Sequence, residues 1–126
     1  VQHGLVLFAH GARDAAWAAP FEAVASLVRA RRPGLQLQLA YLEFMTPTLA
    51  EAGAALAYGG CDRIDLVPMF LGTGGHVRRD LPRLVDALRL AHPAVRFELH
   101  GAIGELAAVH AAMAAAIDAQ LPETAA

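Results

Sequence analysis

The chain has 126 residues, a net charge of −2, and 56% apolar against 17% charged residues. That describes one compact domain with a core of its own, and it excludes multidomain arrays and disordered polymers. All ten basic residues are arginine, set against twelve acidic ones, which is not the strongly basic balance of a nucleic-acid binder. Alanine is roughly a quarter of the chain, so the apolarity is short side chain and not a membrane span. The single cysteine, Cys61, leaves no internal disulfide and too few thiols for a cysteine-based zinc centre. It suits a reducing cytoplasm, the expected location. No basic start leads into an apolar run and cleavage site, so no signal peptide is expected, and the absent initiator Met points to processing or to an upstream boundary.

Leu5 to Ala9 (LVLFA) is continuously apolar, as a central strand covered on both faces has to be, and it ends at His10-Gly11. Trp17, Phe21, Val24 and Val28 then recur at helical spacing. Pro20 belongs in the first turn of that helix, because a proline in the interior costs about 3 kcal/mol, and Pro33-Gly34 stops it. Leu35 to Leu42 alternates with glutamines and reads as a strand with one wetter face, near the sheet edge. Thr46-Pro47 has the form of an N-cap and first-turn proline for a second helix that Gly59-Gly60 closes. Arg63 to Met69 is the third strand. After Gly72 to Gly75, the residues Leu81, Leu84, Val85 and Leu88 mark a third amphipathic helix, with Asp80 as its cap and His92-Pro93 as its end. Val95 to Leu99 is the last strand, and Glu105 to Leu121 an alanine-rich last helix expected to pack within its own subunit.

Strands alternating with helices over residues 1–126 predict a single α/β domain, a three-layer sandwich around a four-stranded parallel sheet. With right-handed crossovers the expected strand order is 2-1-3-4, the flavodoxin-like arrangement. This order brings distant residues together. His10, Glu43 and His76 follow the first three strands, so all three fall on one rim of the sheet, with the two histidines flanking the switch point where open α/β sheets bind ligands. Two imidazoles and a carboxylate are suitable donors for first-row divalent metals, and a neutral imidazole also accepts protons.

The glycines Gly74 and Gly75 match neither a P-loop nor GxGxxG. They read either as a flexible connection or as backbone that a flat ligand approaches closely. Arg13, Arg78 and Arg79 bring guanidinium groups to the same rim, as solvated helix-start residues or as partners of an anionic ligand. Phe44 and Phe70 sit beside the polar residues, with Met45, Met69 and Leu71. Strands alternate faces, so residues 69–71 cannot all enter one layer, and a planar apolar ligand or a partner subunit would cover the remainder. His100 ends the fourth strand on this rim, while His3, His92 and His110 read as surface or packing residues and Cys61 as structural.

Three blocks, LVLFAHGARD (Leu5 to Asp14), YLEFMTPTL (Tyr41 to Leu49) and LVPMFLGTGGHVRRDLP (Leu66 to Pro82), spread over most of the chain, resemble the class II chelatases of the short CbiX/SirB type. The resemblance implies insertion of Co²⁺ or Fe²⁺, with Ni²⁺ a further candidate, into sirohydrochlorin in cobalamin or sirohaem biosynthesis. It implies that His10 and His76 are the two active-site histidines and Glu43 the acidic residue, all three serving as catalytic groups and metal ligands. The metal is then a substrate, with no tightly bound cofactor. Arg13, Arg78, Arg79, Gly74, Gly75, Phe44 and Phe70 become candidates for contacting the carboxylate-rich macrocycle. Longer members of the family carry two such domains, so a homodimer is implied, without nucleic acid or membrane as partner. A carrier that binds metal or tetrapyrrole without catalysis is the alternative. A phosphohistidine-type phosphatase fits less well, because Ala9 stands where an arginine is expected before His10.

Overall fold

The computed structural model describes residues 2–72 and 74–123, apart from the side chain of His76. Thr73, within the glycine-rich stretch, lies outside the described residues. The strands are β1 (His3–Ala9), β2 (Gln36–Tyr41), β3 (Arg63–Pro68) and β4 (Arg96–Leu99). They form one parallel sheet in the order β2-β1-β3-β4, as the crossover argument requires. The helices are α1 (Ala19–Arg31), α2 (Leu49–Tyr58), α3 (Gly75–Ala91) and α4 (Ala107–Asp118).

Side-chain alternation along the strands sorts the core into two layers. Val6 and Phe8 of β1, with Ile64 and Leu66 of β3, pack under α2 and α3 against Leu56, Val85 and Leu88. On the opposite face Leu7 and Leu37 pack against Ala25 of α1, and Ala9 and Tyr41 against Ala18, with Trp17 and Phe21 closing the layer. Both faces of β1 are covered, which is why its sequence lacks polar alternation.

Several boundaries differ from the sequence reading, each for a local reason. Trp17 lies in a 3₁₀ turn, Ala15–Ala18, whose first amides are capped by Asp14, and α1 starts after it with Pro20 in its first turn. Helix α2 is capped by Thr48 and not Thr46. The Thr48 hydroxyl accepts from the Glu51 amide and the Glu51 carboxylate accepts from the Thr48 amide, a reciprocal capping box; Thr46 instead precedes Pro47 through a cis peptide. Helix α3 starts at Gly75, so Asp80 lies inside it and Gly74 is the N-cap. After the short 3₁₀ turn Ile103–Glu105, α4 spans only Ala107–Asp118 and buries none of its residues, against the expectation that it packs in its own subunit.

The face of β3 and β4 on the α1 side is polar. Asp65 is 7% exposed, the buried charged residue among those described. Its carboxylate accepts from the Arg63 guanidinium at 3.1 and 3.2 Å, pairs with His100 Nε2 at 2.7 Å, and meets His3 Nε2 on the other oxygen. Burial works to raise the Asp65 pKa, but the hydrogen bonds from Arg63, His100 and His3 outweigh it and hold the carboxyl well below the usual range.

Candidate active site

The carboxyl ends of β1, β2 and β3 form the rim. Hydrogen bonding continues past the strand ends: the Leu42 amide donates to Ala9 O and the Glu43 amide to His10 O, both at 3.0 Å. His10 and Glu43 are therefore locked side by side through their backbones. Gly11 permits this. Its φ is +89°, and a Cβ there would lie 1.9 Å from Glu43 O, so no other residue fits without parting the two strands. On the third strand the Met69 amide donates to Phe8 O at 2.7 Å, which carries the ladder up to Phe70.

Phe70, a candidate ligand contact in the sequence, is 4% exposed and belongs to the core. Its ring centroid lies 4.4 Å from that of the exposed His10, tilted by 33°. The imidazole is thus backed by an aromatic plane and held toward the open side of the rim. Phe44 is the opposite case. It is 56% exposed, with φ at +64°, a region bulky residues seldom adopt, and the Arg13 guanidinium lies 4.5 Å above its ring. An aromatic held exposed in a strained backbone beside Glu43 offers a flat apolar face to a ligand.

A cavity of about 350 Å³ opens between these strand ends and α3, lined by His10, Leu42, Glu43, Val77, Asp80, Leu81 and Leu84. The backbone of His76 lies in the first turn of α3; its side chain lies outside the described residues. A Cβ built on Gly74 or Gly75 meets nothing within 4 Å, so these glycines leave open space at the helix start and are not demanded by internal packing. The guanidinium of Arg79 donates back to Gly75 O at 3.3 Å, while Arg78 lines a separate cavity of about 320 Å³ with His100, Gly101 and Glu105. The three arginines therefore spread around the rim. His100, placed on the rim by sequence, pairs with Asp65.

Among the described residues no three His, Cys, Asp or Glu side chains converge to hold a metal. The described part of the rim is an open set of donors, not a closed cage of the kind that retains a structural metal. Sequence reasoning missed Asp80 as a cavity residue by assigning it to a helix cap. The signal was its place in the series Val77, Asp80, Leu81, Leu84, spaced i, i+3, i+4, i+7 along one helix face.

Comparison with known proteins adds three kinds of likeness. The CbiX family model matches residues 4–123. The sirohydrochlorin cobaltochelatase of Sulfurisphaera tokodaii is 29% identical over 87 residues, covering 69% of this chain and 71% of that protein. That of Saccharolobus solfataricus is 47% identical over 49 residues, but the match spans only 38% of its length. Among solved structures, a CbiX protein from Marinobacter aquaeolei VT8 superposes with a TM-score of 0.82 at 28% identity, covering 94% of this chain and 96% of that one. The sirohydrochlorin chelatase SirB from Bacillus subtilis subspecies spizizenii, solved in complex with cobalt, shares the fold with a TM-score of 0.73 at 21% identity. The match covers 82% of this chain and 44% of SirB, so the chain spans about half the length of that enzyme.

Proposed function

The chain belongs to the CbiX family, and from that premise we propose that it inserts a divalent metal ion, Co²⁺ or Fe²⁺ with Ni²⁺ as a third candidate, into sirohydrochlorin. The observation that carries the reading is the rim itself, where hydrogen-bonded strand ends fix His10 beside Glu43, across a cavity from the helix whose first turn includes His76.

Metallation exchanges two protons for one cation: two pyrrole N–H bonds break, four N–metal bonds form, and the ion sheds its water. His10 is placed to accept a proton or to hold the ion in transit, and imidazole is the side chain that does either near neutral pH. Glu43 supplies charge that attracts the cation, and neither residue is part of a closed ligand set, so the ion is free to leave for the macrocycle. Phe44 offers a stacking face for the flat ring, and Arg13, Arg78 and Arg79 reach its peripheral carboxylates. Gly74 and Gly75 let the ring edge approach the start of α3.

One crevice of this size covers only part of a tetrapyrrole, and the functional unit is a homodimer. Two observations support this: the chain matches about half of SirB, and α4 is an uncharged, alanine-rich helix over Ala107–Ile117 that its own sheet leaves uncovered. A helix apolar all round is ordinarily buried, and a second copy supplies the cover. The buried, unpaired Cys61 supports a reducing cytoplasm, and no helix among the described residues is long and apolar enough to cross a membrane.

The test is an absorbance assay of sirohydrochlorin metallation with each metal. The expected result is a rate above the uncatalysed one with at least one ion. No acceleration with any of the three overturns the proposal, and stoichiometric ligand retention without turnover makes the protein a carrier. Sedimentation velocity at assay concentration is expected to show a dimer, and a monomer alone refutes that part.

A further inference from the structure

Three histidines away from the metal-handling rim, His3, His100 and His110, make side-chain hydrogen bonds, and the first two serve Asp65. His110 lies in the first turn of α4, a helix that buries none of its own residues, and its Nε2 is 2.6 Å from Gly104 O. A carbonyl oxygen only accepts, so His110 carries its proton on Nε2 and donates. The bond reaches from α4 back into the 3₁₀ turn Ile103–Glu105. Gly104 is held on its other side as well. Its amide donates to Phe70 O at 2.9 Å, and a Cβ on it would lie 2.2 Å from Leu71 Cα, so the turn presses on the backbone of residues 70 and 71 with no room for a side chain. The Phe70 ring lies 6.0 Å from that of Phe8 and 4.4 Å from that of His10, centroid to centroid.

We propose that His110 is a positioning residue for His10: by holding Gly104 against the backbone of residues 70 and 71, it fixes the Phe70 ring that backs the imidazole. The inference rests on the metallation reading, in which His10 handles the metal or a proton, and extends the support of that residue to the last helix. A reacting group has to stay within about 0.5 Å of its productive placement, which neighbours secure by locking its rotamer. Phe70 lies beyond the end of β3, where the Met69 amide still bonds to Phe8 O, and it is the Gly104 amide that holds Phe70 O. That hold is only as firm as the short turn carrying it. His110 steadies the turn because it grips the carbonyl of the residue whose amide grips Phe70. The other side chains of α4 are alanine, valine, methionine, isoleucine and Asp118, none of which offers an N–H or O–H when the carboxylate is ionised. The donor is therefore specific to this position.

The test uses His110→Ala, which removes the donor, and His110→Gln, whose side-chain amide returns an N–H at similar reach. The ¹H–¹³C ring signals of His10 in the full chain report its placement without substrate, because the Phe70 ring current displaces them. At one pH where imidazole is neutral, His110→Ala is expected to move the His10 signals toward their position in Phe70→Leu. It is expected to lower kcat for metallation about tenfold, less than the about 100-fold that displacing a reacting group by about 1 Å can cost, with KM for sirohydrochlorin unchanged. His110→Gln is expected to recover most of both effects. Action through Phe70 requires that the losses not multiply, so His110→Ala with Phe70→Leu should lower kcat no further than Phe70→Leu alone. In the wild-type protein the ¹⁵N signals of His110 are expected to show the Nε2–H tautomer, a readout independent of any variant's folding. An Nδ1–H tautomer, unmoved His10 signals in His110→Ala, losses that multiply, or a loss that His110→Gln leaves unrepaired overturns the inference. If the wild type metallates and His110→Ala matches it in kcat, this inference alone fails. If the wild type accelerates no metallation while His110→Ala still moves the His10 signals, the functional reading fails and the positioning contact stands.

Discussion

Replacing Gly11 with alanine should separate the two strand ends that carry His10 and Glu43. At φ +89° an L-residue loses about 1–2 kcal/mol relative to glycine. The new Cβ would stand 1.9 Å from Glu43 O, which is backbone and cannot rotate away. The strands have to part, and the 3.0 Å bond from the Glu43 amide to His10 O is the first to break, a loss of about 1 kcal/mol. The expected destabilisation is therefore about 2–3 kcal/mol, within the 5–15 kcal/mol typical of a domain, so the chain still folds. The rate suffers more than the stability, since moving a reacting group by about 1 Å can lower a rate about 100-fold. Urea unfolding and the metallation assay measure the two effects. Gly34→Ala is the control: its Cβ meets nothing within 4 Å and its φ is ordinary, so it should be neutral or stabilising by up to about 1 kcal/mol. A Gly11→Ala protein within about 0.5 kcal/mol of wild type, the usual range for unconstrained surface sites, and with full activity would refute the claim that Gly11 fixes the site.

Phe70→Leu keeps an apolar core residue but removes the plane behind His10; it should cost about 1–3 kcal/mol in unfolding and lower kcat more than KM for sirohydrochlorin, and an unchanged kcat would contradict the backing role. Asp65 sets an acid limb of stability. Its folded pKa is depressed, so its contribution is complete above the unfolded value of about 3.9 and is lost as pH falls from there toward the folded value. Asp65→Asn should flatten the dependence of unfolding free energy on pH in that window; a wild-type profile in the variant would show that the carboxylate is not its source.

Much of this was legible because strand order follows from periodicity and handedness. Runs such as LVLFA and the glutamine alternation of β2 declare how many faces are covered, and right-handed crossovers then put His10, Glu43 and His76 at one sheet end. Local competition was harder to read. Thr46 and Thr48 both resemble caps, and the choice fell to the one whose partner, Glu51, completes a reciprocal box. Phe70 looked like a rim residue because its burial depends on the approach of Gly104, whose amide donates to Phe70 O at 2.9 Å and whose missing Cβ admits the backbone of Leu71. That contact is long-range and leaves no periodic trace. The exposure of α4 is equally invisible, since alanine-rich sequence is compatible with packing inside a subunit or against another.

The most direct measurement compares single-turnover metallation of sirohydrochlorin by wild type, His10→Ala and His76→Ala, each checked for intact folding by circular dichroism. The expected result is acceleration by the wild type and loss of most of it in both variants, with the folds unchanged. Full wild-type rates in both variants would contradict the assignment of His10 and His76 as the groups that deliver the metal and take up the protons.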